Sequence, residues 1–207
     1  AVRYLPAHDD PLGGDWHDVF HLPDGRAAFV VGDAVGHGVE VAGIMAQVRN
    51  ALRAFLMATG DPAESLVRLD ELVRELLPGQ LATAVVCVVD HVSGRYRIAS
   101  AGHLDPFCVG PAGASPLATP RGPALGLAVE RRLDALDGSL APGEGLVVFT
   151  DGLVERRGHD VPEALDRLGV ALAGVPGHGI GATAATLCDR ALAAGTRSED
   201  DDVTVLA

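Results

Sequence analysis

Hydrophobic residues recur along this chain with two periods, and each period marks a kind of element. The run AAFVVG at 27–32 is short and apolar and predicts a buried strand. Between Gly38 and Thr59 the apolar positions are Val41, Ile44, Met45, Val48, Leu52, Phe55 and Leu56, which is helical spacing, and Gly60 ends it. Asp61 predicts the cap of a second helix, with Pro62 at its first position and Glu64 three residues after the cap. Leu66, Leu69, Val73 and Leu76 form its apolar stripe, and Pro78-Gly79 stop it. ATAVVCVVD at 82–90 and RYRIASA at 95–101, joined by Ser93-Gly94, predict a hairpin. Residues 110–125 are rich in Gly and Pro and are expected as loop. GLVVFT at 145–150 predicts another buried strand, 162–172 and 180–194 two helices, and DVTVL at 202–206 a closing strand. Hairpin-joined strands with helices in pairs predict an α+β layered sandwich, not an alternating parallel sheet.

The 207 residues are 48% hydrophobic, so the chain has enough apolar material for a substantial core. Aromatics are only 4%, which leaves the interior to Ala, Val and Leu. The formal charge is 16 − 28 = −12, which argues against nucleic acid and anionic lipid as partners. Cys87, Cys108 and Cys188 are far apart and form no CxxC pair, a usage expected of the cytoplasm. No apolar stretch approaches the roughly 20 residues of a membrane span. AVRYLPAHDD lacks the features of a signal peptide, and its abrupt start predicts a single domain, 1–207, cut from a longer regulator.

Charge matters most where it meets the apolar pattern. Asp33 directly follows FVVG, Asp151 directly follows LVVFT, and Asp201 and Asp202 directly precede VTVL. Asp15 and Asp18 open the WHDVF segment. In antiparallel pairing the end of one strand lies beside the start of the next, so these acids are expected along one rim. Carboxylates gathered there either take up protons or hold a cation. All-oxygen ligation selects hard cations such as Mg²⁺ or Mn²⁺. Glycines stand beside the acids at Gly13-Gly14, Gly32 and Gly152, and beside His37 and His103 at Gly36, Gly38 and Gly102, and glycine lets backbone approach a ligand closely.

Taken in order, GGDWHDVF (13–20), GDAVGHGVEVA (32–42), AGHLDP (101–106), PALGL (123–127), LAPGEGLVVFTDGLVERR (140–157) and DDVTVLA (201–207) resemble the PPM family of metal-dependent protein phosphatases, in its SpoIIE/RsbU-like bacterial branch. The resemblance implies a four-layer αββα sandwich of two antiparallel sheets flanked by helix pairs. It implies hydrolysis of phosphoserine or phosphothreonine on a regulatory protein, without a covalent phosphoenzyme. It also implies two Mn²⁺ or Mg²⁺ ions, with a third weaker site possible. The partner implied is a STAS-type anti-anti-sigma factor, with a fused sensory domain upstream and a homodimer as one option.

Carried over residue by residue, Asp33 corresponds to the carboxylate that bridges both metals, and the Ala34 carbonyl to a further ligand. Asp151 and Asp201 correspond to ligands of the other metal, and Asp15 to the first-motif acid. Asp33, Asp151 and Asp201 are thus the expected catalytic centre. Asp18, Asp202 and His37 are lesser candidates, and the run Asp200-Asp201-Asp202 leaves the register open by one residue. The chain departs from the pattern at Val35, where some relatives place a histidine that protonates the leaving oxygen. His37 and His103 are the available substitutes, each with a plain turn or loop role as the alternative. Glu155, Arg156 and Arg157 follow the TDG segment, and a solvated strand end is the expected role of the arginines. The competing function is a pseudophosphatase acting as a binding module; a nucleotide cyclase is disfavoured because Trp16-His17 stand where Glu and Phe belong.

Overall fold

The computed structural model describes residues 1–7, 13–36, 38–127, 132–155, 158, 160–173, 180–195 and 201–207. In chain order the strands are β1 (Val2–Leu5), β2 (Asp15–His21), β3 (Ala27–Ala34), β4 (Ala82–Val89), β5 (Arg95–Ala101), β6 (Phe107–Gly110), β7 (Gly113–Pro116), β8 (Arg121–Gly122), β9 (Leu136–Ser139), β10 (Gly145–Phe149) and β11 (Val203–Leu206). Helices α1 (Val39–Thr59) and α2 (Pro62–Leu76) lie between β3 and β4. Helices α3 (Val161–Leu172) and α4 (Ile180–Ala194) precede β11. This is the mixed α+β class that the apolar pattern predicts. The residues fall into two compact units, Gly14–Leu104 with Thr119–Leu140, and Ala1–Gly13 with Asp105–Ala118 and Ala141–Ala207.

The first unit is built on a sheet in the order β2-β3-β4-β5-β8, with β9 also pairing β5. Its pleat sorts the side chains. Trp16, Ala28, Val30, Ala34, Ala84, Val86, Val88 and Ala99 turn to one face and join a core with α1 and α2. The stripe Val41, Ile44, Val48, Leu52 and Leu56 buries α1 against them, while Met45 and Phe55 pack at its margin. Each such fully buried aliphatic side chain contributes about 1.5–3 kcal/mol over exposure. Gly60 ends α1 in the left-handed conformation, at φ 62°, and its N–H donates to Leu56 O. The Asp61 side chain then accepts from the Glu64 N–H, the cap that the sequence predicts. The opposite face of the sheet carries Val31, Val85, Cys87 and Ile98, and also Asp15, Asp33 and Thr83.

The second unit has the sheet order β1-β11-β10-β6-β7. Phe107 of β6 and Phe149 of β10 pack with ring centroids 6.0 Å apart. Ala164, Leu168 and Leu172 of α3, with Leu187, Cys188 and Ala191 of α4, are buried in the same unit. β1 closes the edge by pairing Val2 with Leu206 and Leu5 with Val203.

Residues 110–125 correct the expectation of a loop. The end of β6, all of β7 and the two-residue β8 lie within them. These strands are too short and too rich in Gly, Pro and Ser to show a period of their own. Their partners impose the extended form: β6 pairs β7 from Phe107↔Pro116 to Gly110↔Gly113, and β8 adds to β5 in parallel.

Candidate functional site

In the first unit the site begins at the open end of the β2–β3–β4 ladder. Asp15 stands directly opposite Asp33, and Asp33 directly opposite Thr83. Directly opposed residues share a face, so the three form a row across adjacent strands. Asp15 is buried at 7% exposure. Gly14 makes room for this row. A Cβ there would lie 2.2 Å from Ala34 O and 2.7 Å from Asp33 Oδ1. The carbonyl of Ala34 and the carboxylate of Asp33 therefore converge on one spot, although the Ala34 side chain points to the helix face. The Ala34 N–H donates to Gly14 O at 3.0 Å and holds that approach.

Asp18, a lesser candidate, falls elsewhere. It shares its face with Trp16, turned to the helices, and its two oxygens accept from Nε and a terminal nitrogen of Arg53 on α1. The same guanidinium lies 4.6 Å from the centroid of the Phe20 ring. Asp18 thus fastens α1 to β2 and lies outside the carboxylate row. His17 lies two residues from Asp15, and burial lowers its pKa.

The second unit holds the other acids. Thr150, fully buried, donates its N–H to Thr204 O, and its Oγ1 accepts from the Thr204 N–H at 2.8 Å. That pair fixes the end of β10 to β11 and sets Asp151 at the start of a single 3₁₀ turn, Asp151–Leu153, close to Asp201. At Gly152 a Cβ would lie 2.1 Å from Asp202 O and 3.4 Å from Asp201 Cβ. Burial first, and then the charge of Asp151, push the Asp201 carboxyl up to about 6. Burial also raises Asp151. Glu155 is raised by burial and by Asp151, which makes it a third acid in this group. The sequence offered one clue to it, four residues past Asp151.

Of the run Asp200-Asp201-Asp202, Asp201 and Asp202 are among the described residues, and they are held differently. Asp202 is 2% exposed, and its Oδ1 accepts from the Ala7 N–H at 2.8 Å. A Cβ at Gly13 would lie 1.0 Å from Asp202 Oδ2, so the segment before β2 is moulded onto this carboxylate. Asp202 ties down the N-terminal segment, whereas Asp201 shares its field with Asp151 and Glu155. Asp200, His37, Arg156 and Arg157 lie outside the described residues.

The acids thus form two sets, one in each unit. Among the described residues no three His, Cys, Asp or Glu side chains are gathered as a ready-made metal cage. The donor chemistry nevertheless fits hard divalent cations. Asp15, Asp33 and the Ala34 carbonyl offer oxygen alone, and the raised carboxyls of Asp151 and Asp201 are acids whose ionised form a cation would favour.

The family model described as Stage II sporulation protein E (SpoIIE) matches residues 23–207. The chain belongs to the SpoIIE family. The crystal structure of the RsbU and RsbW domains of Rv1364c from Mycobacterium tuberculosis matches this SpoIIE-family chain at 32% identity and a TM-score of 0.79, covering 100% of this chain and 60% of that one. The PP2C phosphatase domain of SpoIIE from Bacillus subtilis, with a fragment of its regulatory domain, matches at a TM-score of 0.77 over 99% of this chain and 61% of that one. At 15% identity that likeness carries the fold alone, which is the α+β fold of a PP2C phosphatase domain. Protein IcfG of Synechocystis is 25% identical over 175 residues, 70% of this chain. The SpoIIE-family chain spans about a quarter (27%) of that relative's length.

Proposed function

We propose that the chain is a serine/threonine phosphoprotein phosphatase domain that works with two divalent cations, Mn²⁺ or Mg²⁺. The observation that carries this reading is the convergence of Asp33 Oδ1 and Ala34 O on Gly14, beside Asp15. A backbone carbonyl and a carboxylate oxygen that converge, with a second carboxylate opposite in register, suit a hard cation. Asp33, Ala34 and Asp15 would hold one ion and Asp151 and Asp201 the other.

When bound, such ions supply an activated water and offset charge on the phosphoryl oxygens. The protein's part is to fix the oxygens that receive them. The β2–β3 register sets Asp15 and Asp33. The Thr150–Thr204 pair sets Asp151 next to Asp201. Both arrangements are set by backbone pairing, and such positioning is what phosphoryl transfer requires.

The substrate we propose is phosphoserine or phosphothreonine on a small regulatory protein of the STAS type. The support is the family and the likeness to an RsbU domain that shares its chain with an RsbW domain. We place the protein in the cytoplasm as one phosphatase domain of a longer regulator. Among the described residues no helix is long and apolar enough to cross a membrane. Turnover of p-nitrophenyl phosphate across Mg²⁺, Mn²⁺ and Ca²⁺ tests the reading. Hydrolysis that depends on one of these ions supports it. Absence of turnover with all three favours a binding module that keeps the fold without the chemistry.

A further inference from the structure

We infer that Thr83 and His103 act as a positioning pair for Asp33. The inference rests on the metal-dependent reading above and concerns residues that reading does not use.

Thr83 stands directly opposite Asp33 on β4, so its side chain lies on the carboxylate's face at the neighbouring cross-strand position. The other residues of β4 on that face include Val85 and Cys87, both fully buried. A single hydroxyl therefore interrupts an apolar face, and it falls in register with the acid.

That hydroxyl is held by a histidine brought from the next strand. Thr83 Oγ1 lies 2.8 Å from His103 Nδ1. His103 sits on a turn fixed at several points. Ser100, 2% exposed, donates its hydroxyl to His103 O at 3.0 Å and accepts from the His103 N–H at 3.2 Å. Gly102, at φ +71°, donates its N–H to Gly122 O at 2.9 Å, and a Cβ there would lie 2.9 Å from the Ala124 backbone. Only glycine passes so close to Ala124 in that conformation. The turn delivers the imidazole to Thr83.

A hydroxyl has one proton and two lone pairs. If Nδ1–H donates to Oγ1, the Thr83 proton is left free of the ring, on the sheet face that Thr83 shares with Asp33. Carboxylates that ligate metals are oriented by such outer hydrogen bonds, and losing one typically costs about 10–100-fold in metal affinity. The pair would thus steady the Asp33 carboxylate from its own sheet face, with His103 acting through Thr83.

Mn²⁺ titration by calorimetry on the whole chain tests this, with the melting temperature of the metal-free protein measured alongside. Thr83→Val keeps the shape and suits a strand. It is expected to weaken Mn²⁺ binding about tenfold with the metal-free melting temperature kept or raised. Thr83→Ser, which restores the hydroxyl, should bind within about twofold of the unaltered protein. His103→Ala should weaken binding in the same direction, and the double variant should fall no further than Thr83→Val, because the two act as one unit. Equal affinity in Thr83→Val and the unaltered protein overturns the pairing while leaving the metal site intact. Thr83→Ser as weak as Thr83→Val overturns it too. No Mn²⁺ binding by the unaltered protein overturns the phosphatase reading itself, and the pairing with it.

Discussion

Asp15 and Asp33 face each other directly across the β2–β3 ladder. Like charges at directly opposed positions destabilise a sheet by about 0.2–1 kcal/mol. A cation between them removes that cost. Asp33→Asn is therefore expected to raise the melting temperature of the metal-free protein by about 1–3 °C, on the scale for a domain of this size. The same change should abolish the stabilisation that Mn²⁺ gives. Calorimetric melting with and without Mn²⁺ reads both effects, and a variant that melts lower without metal while still responding to it contradicts this account.

Asp201 gives the site a pH signature. Its folded-state pKa is raised to about 6, above its ordinary value of 3.8. A carboxyl raised in this way stabilises the fold fully below its unfolded pKa, and the contribution is lost as pH rises through the folded value. The metal-free protein should lose this contribution between about pH 4 and 6, and Asp201→Asn should not. The difference in melting temperature between the two proteins, followed from pH 4.5 to 7.5, isolates the group from acids such as Asp24 and Asp90, whose lowered values act in the opposite sense. A constant difference across the range would remove Asp201 from the pair with Asp151.

Gly14 is expected to be intolerant of any side chain. A Cβ there would lie 2.2 Å from Ala34 O and 2.7 Å from Asp33 Oδ1, distances no folded protein keeps. Gly14→Ala should cost about 1–3 kcal/mol, typical of overpacking, and should weaken Mn²⁺ binding because both oxygens must move. Gly43 serves as the control, since a Cβ there meets nothing within 4 Å. Gly43→Ala should leave binding unchanged.

Asp18 and Asp15 lie three residues apart on one strand, yet the account separates them. Asp18 is held by Arg53, and the half-exposed guanidinium makes the pair worth at most about 1 kcal/mol. Asp18→Asn should bind Mn²⁺ within about twofold of the unaltered protein, whereas Asp15→Asn should not. Side-by-side titrations decide it, and equal losses would place Asp18 in the site after all.

Much of this was legible in the sequence where a residue's role is local. The α1 stripe, the Asp61 cap and the β4–β5 hairpin each depend on spacings of a few residues, and the structure forms all three. The expectation that Asp33 and Asp151 stand at strand ends rested on apolar runs that the structure realises as β3 and β10. What stayed hidden depends on partners distant in the chain. β7 and β8 take their shape from β6 and β5, not from their own residues. Asp201 and Asp202 are neighbours of equal type, and their surroundings differ through distant partners such as Ala7, 195 positions from Asp202, whose N–H donates to it. Thr83 reads as one strand residue among several until the register sets it opposite Asp33.

The most direct test of the central claim is phosphate release from a phosphoserine peptide at saturating Mn²⁺, compared among the unaltered protein, Asp33→Asn and Asp201→Asn. Asp33 belongs to one set of acids and Asp201 to the other. If both sets serve one metal-dependent reaction, each substitution should lower kcat/KM by more than about 100-fold, beyond the loss that an outer hydrogen-bond partner carries. Full turnover in either variant, or turnover in the unaltered protein that persists after chelation of metal, would contradict it.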